Sequence, residues 1–179
     1  IILEAAMNAD VNVAFEASVA GGIPVLKGIR EGLVANKINW LAGIINGTTN
    51  FILSEMSIRK TPFEVILAEA QSKGYAEADP TFDVEGVDAS QKLAILASLS
   101  FGIPLSVSEF FVEGITSILL EDVSFAKELG FTVKHIGICR EINGRLEARV
   151  HPALIPDSSL LAHVNGVSNA VMVNSDAAD

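Results

Sequence analysis

The stretch FTVKHIGICREINGRLEARVH, Phe131–His151, decides the fold class. Asn143-Gly144 at its centre is the dipeptide that a type I′ hairpin turn favours, because both central residues need positive φ. The flanks Phe131–Ile142 and Arg145–His151 therefore predict two antiparallel strands. Leu146, Ala148 and Val150 alternate with Arg145, Glu147 and Arg149, which gives one apolar and one polar face, as in an antiparallel sheet with a single covered side.

Outward from the hairpin, Asn169–Asn174 (NAVMVN) reads as a last strand and Glu121–Leu129 as a helix ended at Gly130. Val87–Phe101 reads as a helix that is apolar nearly all round, hence buried. Tyr75–Gly86, with Pro80, Gly86 and four acids, reads as a loop, and Pro62–Lys73 as a helix stopped by Gly74. Thr48 or Thr49 is expected to cap a helix over Phe51–Ile58, preceded by an apolar strand over Ile38–Ile45. Val11–Val19 reads as a buried strand running into Gly21-Gly22, and Pro24 opens a helix through about Leu33. Strands at both ends with helices between them predict an α+β fold: a mixed, largely antiparallel β-sheet with helices packed on one face. No repeat or low-complexity linker divides the 179 residues, so one domain is expected.

Composition narrows the function. Half of the residues are hydrophobic, yet the longest uncharged runs, Ile38–Ser54 and Leu93–Ser108, are broken by polar residues, Gly and Pro. Neither resembles the roughly 20 continuous apolar residues of a membrane span, so no membrane partner is expected. Twelve Lys and Arg against 22 Asp and Glu give a net charge of −10, and no basic stripe suits nucleic acid. The single cysteine, Cys139, excludes an internal disulfide framework and a cysteine zinc cluster, and points to a reducing, cytoplasmic setting. Cys139 falls inside a strand, where a buried, inert thiol is expected. The three histidines, His135, His151 and His163, do not cluster in sequence and read as structural, and Trp40 and Phe51 read as core.

Three segments can carry chemistry. In Glu77–Lys92 (EADPTFDVEGVDASQK), Asp88 opens a predicted helix and Lys92 lies four residues on, so both project from one face. That pair is either a surface ion pair or a lysine held by carboxylates at the mouth of an apolar helix, tuned as a proton donor. The acids also raise a calcium reading, but the EF-hand spacing is missing. In Gly43–Asn50 (GIINGTTN), a strand runs into a helix N-terminus rich in N–H groups and hydroxyls. That is an ordinary cap or a carboxylate site. In Glu16–Pro24 (EASVAGGIP), a Glu beside a Gly-rich turn is either a turn or a monovalent-cation site built with carbonyls.

Together and in this order, the three stretches FEASVAGGIP (Phe15–Pro24), GIINGTTNFIL (Gly43–Leu53) and GYAEADPTFDVEGVDASQKLAIL (Gly74–Leu96) resemble homoserine dehydrogenase. GIT, ED and FAKELG within Gly114–Gly130, and ARVHPALIP at Ala148–Pro156, extend the resemblance over nearly the whole chain. The resemblance implies an NAD(P)-dependent oxidoreductase that interconverts L-aspartate 4-semialdehyde and L-homoserine, on the way to threonine, methionine and isoleucine. It implies that this chain is the catalytic and dimerisation domain of a homodimer. It gives Lys92 the role of proton donor, with Asp88 beside it. Glu77 would bind the substrate ammonium, Asp83 would line the same pocket, and Gly47 and Thr48 would contact substrate. Glu16, with the carbonyls of Val19, Gly21 and Ile23, would hold a sodium ion.

The chain departs from the family in the nucleotide-binding motif and in its last residues, Asn174–Asp179, where the family usually continues with a glycine-containing segment. No G-x-G-x-x-G follows a strand, so the domain that binds NAD or NADP is not in these residues. A fragment cut at both ends, or a degenerate relative, is the expectation, and these residues alone are expected to bind no dinucleotide and show no turnover. Two further readings stay open: a binding module that kept the amino-acid pocket without the redox step, and a domain that mainly dimerises through its sheet.

Overall fold

The computed structural model describes residues 2–177. The final Ala178 and Asp179, part of the divergent C-terminal end, lie outside them. The predicted hairpin forms the centre of the molecule, with β3 (Phe131–Ile142) and β4 (Arg145–Pro156) paired antiparallel through the whole length of β3. Asn143 and Gly144 take φ of 51° and 75°, as the type I′ turn requires. β4 runs past His151 to Pro156. Its other neighbour, the two-residue β2 (Phe111–Val112), pairs only at Arg149 and Val150. Beyond that point β4 is an edge, where Pro152 removes no needed ladder bond.

β1 (Ile38–Ile44) lies against β3 and against β5 (Ala170–Ser175), both antiparallel, so the order is β2-β4-β3-β1-β5. β2 alone runs parallel to its neighbour, which makes the sheet mixed. The α+β expectation is met.

α6 (Val87–Phe101) lies over one sheet face, as its apolar circumference demands. Leu93, Leu96 and Ala97 have no exposure and pack with Leu41, Ile45, Cys139 and Val150. Each buried leucine contributes about 1.5–3 kcal/mol. The close fit needs Gly137 on β3: a Cβ there would stand 3.0 Å from Ile45 Cδ1 and 3.3 Å from Leu93 Cδ1. α3 (Gly47–Arg59), α4 (Phe63–Ser72) and α7 (Leu120–Glu128) build a second core around Ile52, Met56, Ile66 and Val123, with Val133 from β3. The opposite sheet face carries Trp40, Ala42, Ile138, Ala153 and Met172, capped at one end by Leu161 of the short 3-10 turn Leu160–His163.

Three expectations are corrected. Val11–Val19 is not a strand: residues 11–15 are irregular and Glu16–Ser18 is a 3-10 turn. Val11, Val13, Phe15, Ala17 and Val19 do alternate with Asn12, Ala14, Glu16 and Ser18, but the Glu16 carboxylate draws the chain toward the amides of Leu26 and Lys27 instead of a sheet edge. Tyr75–Gly86 is not all loop, since Pro80 starts the short α5 (Thr81–Val84). The cap of α3 is neither threonine but Asn46, whose Oδ1 accepts the Thr49 amide at 2.9 Å. The segment after Pro24 is helical as expected, as α2 (Val25–Lys27) continued by a π-turn over Gly28–Gly32. An N-terminal helix, α1 (Ile2–Asn8), precedes it. Among the described residues no helix is long and apolar enough to cross a membrane.

Candidate active site

The end of β1, the start of α3 and the start of α6 converge on one cleft. Asn46, Gly47, Thr48, Tyr75, Asp83, Asp88, Lys92 and Val167 line it, and its volume is about 260 Å³. Asn46, the junction between β1 and α3, is buried and organises the polar wall. Its Oδ1 is used by the helix cap, which turns Nδ2 toward the two carboxylates. Nδ2 donates to Asp83 Oδ1 at 2.7 Å and to Asp88 Oδ2 at 2.8 Å. An amide between two acids can do this because its two hydrogens are separate donors.

Asp88 Oδ2 also takes Lys92 Nζ at 2.6 Å, one turn further along α6. The Lys92 side chain keeps 27% of its exposure and the Asp88 side chain 19%, so the pair is half-sheltered yet reachable from the cleft. The i,i+4 spacing supplies the geometry. The result is a chain of polar groups, Lys92–Asp88–Asn46–Asp83, in which one ammonium is held beside two carboxylates.

On the other side of the cleft, Thr48 Oγ1 donates to the Tyr75 carbonyl at 2.6 Å. That bond ties the start of α3 to the segment leading into α5 and commits the Thr48 hydroxyl proton. The amides of Gly47 and Thr48 are the first two of the helix and have no intrahelical acceptor. They are the donors this wall can offer an anion.

The structure brings Gly47, Thr48, Asp83, Asp88 and Lys92 together at this cleft. It does not place Glu77 among the lining residues. Glu77 is exposed, two residues past Tyr75, and its backbone carbonyl accepts Gln71 Nε2 at 3.1 Å. Sequence reasoning quoted Asn46 and Tyr75 within its motifs without giving them a role, and it missed Val167 altogether. The identity of Asn46 as a strand-to-helix cap was a usable signal. Val167 carried none, because only the fold returns it to the α3 N-terminus.

The second candidate centre is the turn after Glu16. The Glu16 carboxylate accepts the Leu26 amide at 2.8 Å and the Lys27 amide at 2.9 Å, so it caps α2 from ten residues upstream. Val19 is fully buried, the Ile23 carbonyl accepts the Val25 amide at 2.8 Å, and Ala20 and Gly22 take positive φ. Each oxygen of the carboxylate retains lone pairs beyond the amide it accepts. The Val19, Gly21 and Ile23 carbonyls expected beside it lie on the same turn, and carboxylate and carbonyl oxygens are the ligand type a hard cation takes.

The histidines are structural in setting. His135 is buried and donates Nε2–H to the Glu113 carbonyl at 2.9 Å, and burial pushes its pKa down. His151 is half-buried, with Nδ1 2.8 Å from the Pro152 carbonyl, and His163 is exposed. Cys139 is fully buried, and burial pushes its thiol up to about 12. Phe51 is core, whereas Trp40 is half-buried on the far sheet face. Among the described residues no group of three His, Cys, Asp or Glu is placed to hold a metal.

The chain is similar to known proteins over nearly its whole length. The family model described as homoserine dehydrogenase matches residues 24–179. Homoserine dehydrogenase of Pseudomonas aeruginosa is 63% identical over 165 residues, which are 92% of this chain and 38% of that protein. The Bacillus subtilis homoserine dehydrogenase is 49% identical over 166 residues, again 38% of its length. The crystal structure of a homoserine dehydrogenase from Thiobacillus denitrificans superposes with a TM-score of 0.95 at 55% identity, covering 98% of this chain and 41% of that one. The chain thus spans about two fifths of the length of the relatives it matches.

Proposed function

Because this chain belongs to the homoserine dehydrogenase family, we propose that it is the catalytic, substrate-binding and dimerisation domain of a homoserine dehydrogenase. In the whole protein it works on L-aspartate 4-semialdehyde and L-homoserine, in the cytoplasm, on the route to threonine, methionine and isoleucine. The observation that carries this reading is Lys92 held by Asp88 at 2.6 Å on a cleft whose other wall offers helix N-terminal amides.

The substrate is an amino acid, so the site needs an acceptor for its ammonium, donors for its carboxylate and a proton source for its aldehyde oxygen. Gly47 and Thr48 supply the donors at the start of α3. Asp83 and Asp88 supply negative charge in the cleft. Glu77, exposed on the adjoining segment, takes the ammonium as substrate settles. Reduction of the aldehyde develops negative charge on its oxygen. Lys92, oriented by Asp88, stabilises that charge and delivers the proton.

The nicotinamide of NAD or NADP supplies the hydride when bound. No glycine-rich strand-to-helix turn is present in the sequence to cradle its pyrophosphate, so the dinucleotide is held mainly by a domain outside this chain. The residues here bind and orient the amino acid and move the proton. The Glu16 carboxylate with the Val19, Gly21 and Ile23 carbonyls would hold a sodium ion and stiffen the turn that leads into α2. The sheet face opposite α6, with Trp40, Ala42, Ile138 and Met172, is the surface that would pair two copies.

The test is homoserine-dependent reduction of NAD⁺ or NADP⁺ by the full-length protein. Activity is the expected result. A full-length protein that binds homoserine without turnover would replace this reading with the amino-acid-binding module.

A further inference from the structure

Lys134 on β3 has no solvent exposure, and no carboxylate among the described residues pairs with it in the structure. Its ammonium faces four neutral oxygens. Asn50 Oδ1 lies at 3.1 Å, Ser54 Oγ at 3.2 Å, the Val164 carbonyl at 2.5 Å and Asn165 Oδ1 at 3.1 Å. Three protons meet four acceptors, so none is left over. Burial against neutral groups pushes the lysine down to about 8, and sheltering an ammonium this way is costly. What it holds is therefore informative.

It holds the segment 164–168, which connects the 3-10 turn Leu160–His163 to β5. The Val164 carbonyl that takes Lys134 also accepts Asn50 Nδ2 at 3.1 Å. The same Asn50 amide donates to the Ser168 carbonyl at 3.1 Å. Both ends of the segment are thus fixed by two side chains from α3 and β3. Between them, Val167 lines the cleft, and among the described residues it is the only aliphatic one that does. Its carbonyl sits so close to α3 that a Cβ on Gly47 would lie 2.8 Å away.

We propose that Lys134, with Asn50, is a positioning residue that clamps the segment 164–168 so that Val167 forms the apolar wall against which the methylene carbons of the amino-acid substrate rest. This rests on the amino-acid reading of the cleft given above. The lysine acts at a distance: it touches neither substrate nor reacting atoms, and sets where one side of the pocket stands. A small unclamped wall would still let Lys92 work on any substrate that is bound. The effect therefore falls on substrate binding rather than on the proton step.

The experiment uses the full-length protein with Lys134→Met, which matches the unbranched stem but has no ammonium to donate, and with Asn50→Asp. The second variant keeps an oxygen, now charged, beside Lys134, and removes both donations to the segment. It is expected to fold even where the first does not. Expected in both variants is a rise of tenfold or more in KM for homoserine, with the dinucleotide KM and the pH profile of kcat unchanged. Amide exchange in peptides covering 164–168 should quicken at least tenfold, while α6 stays protected. Val167→Ala should raise the homoserine KM in the same direction, and add little to Asn50→Asp. Unchanged exchange at 164–168 in Asn50→Asp overturns the clamp. Faster exchange throughout the molecule, or an equal rise in both KM values, also overturns it, since the residues would then be merely structural. A wild-type protein without homoserine turnover defeats the functional reading alone, and the exchange comparison still decides the clamp.

Discussion

Asn46 and Asp88, 42 residues apart in sequence, meet at 2.8 Å, and the carboxylate oxygen that takes the asparagine amide is the one that takes Lys92. A single side chain therefore links the cap of α3 to the ion pair on α6. The position of Lys92 depends on a residue that never contacts it directly.

Replacing Asn46 with Asp separates its two tasks. The new carboxylate can still accept the Thr49 amide, so the cap survives. Both donations to Asp83 and Asp88 are lost and a third negative charge is added. The variant should lose about 1–3 kcal/mol at pH 7. It should recover as pH falls into the carboxylate range, where protonation restores a donor. Asn46→Ala loses the cap as well, about 1 kcal/mol, and has no such recovery. Thermal melts of the three proteins at pH 7 and pH 4 make the comparison.

Lys92→Met in the full-length protein should lower kcat by about 10²–10⁴-fold, the range of general acid catalysis. The KM for homoserine should move by no more than a few-fold, because the lysine acts mainly on charge that develops in the transition state. Steady-state kinetics beside a circular dichroism spectrum checks this. A drop confined to KM would take the proton away from Lys92.

Gly47→Ala places a methyl group 2.8 Å from the Val167 carbonyl. Since the obstacle is backbone, the clash costs about 1–3 kcal/mol or displaces the wall. Either a lower melting temperature or a raised homoserine KM is expected, with the dinucleotide KM unaffected.

Cys139, with its thiol pushed up to about 12 from 9.0, should not react with iodoacetamide at pH 8 in the native protein. It should label fully in urea. The sign for stability follows from the same shift. Between pH 9 and pH 12 the unfolded chain sheds a proton that the folded chain keeps, so this group makes folding less favourable as pH rises through that window.

Asp157 joins α7 to β3, accepting Lys127 Nζ at 2.8 Å and Thr132 Oγ1 at 2.7 Å. Those bonds lower its pKa below 3.8, so its stabilising contribution is complete above that value and is lost as pH falls below it. Asp157→Asn should melt lower than the wild type at pH 7. The gap should close in strong acid, as thermal melts over a pH series would show.

How much of this was legible depends on whether the signal is local. The hairpin at Asn143-Gly144 and the bounds of α6 follow from the sequence, because turn chemistry and an unbroken apolar helix are properties of a few adjacent residues. The Asp88–Lys92 pair is legible for the same reason: four residues on a helix is one turn. Val11–Val19 misled because a short alternating run reads as a strand whether or not the fold gives it a sheet edge to pair with. Glu16 reads as a turn residue or a cation ligand, and its reach to the amides of Leu26 and Lys27 needs the folded path of the chain.

By itself the sequence determined the class of fold, the family and the lysine with its carboxylate partner, since each is written in contiguous residues. Only the tertiary structure decided that Asn46 bridges Asp83 and Asp88, that Glu77 stands outside the lining of the cleft, and that Lys134 is buried against the segment that carries Val167. Those relationships join residues that are dozens of positions apart. They are set by which sheet edge, helix end and loop the packing of the core brings together, and no local pattern of residues encodes that choice.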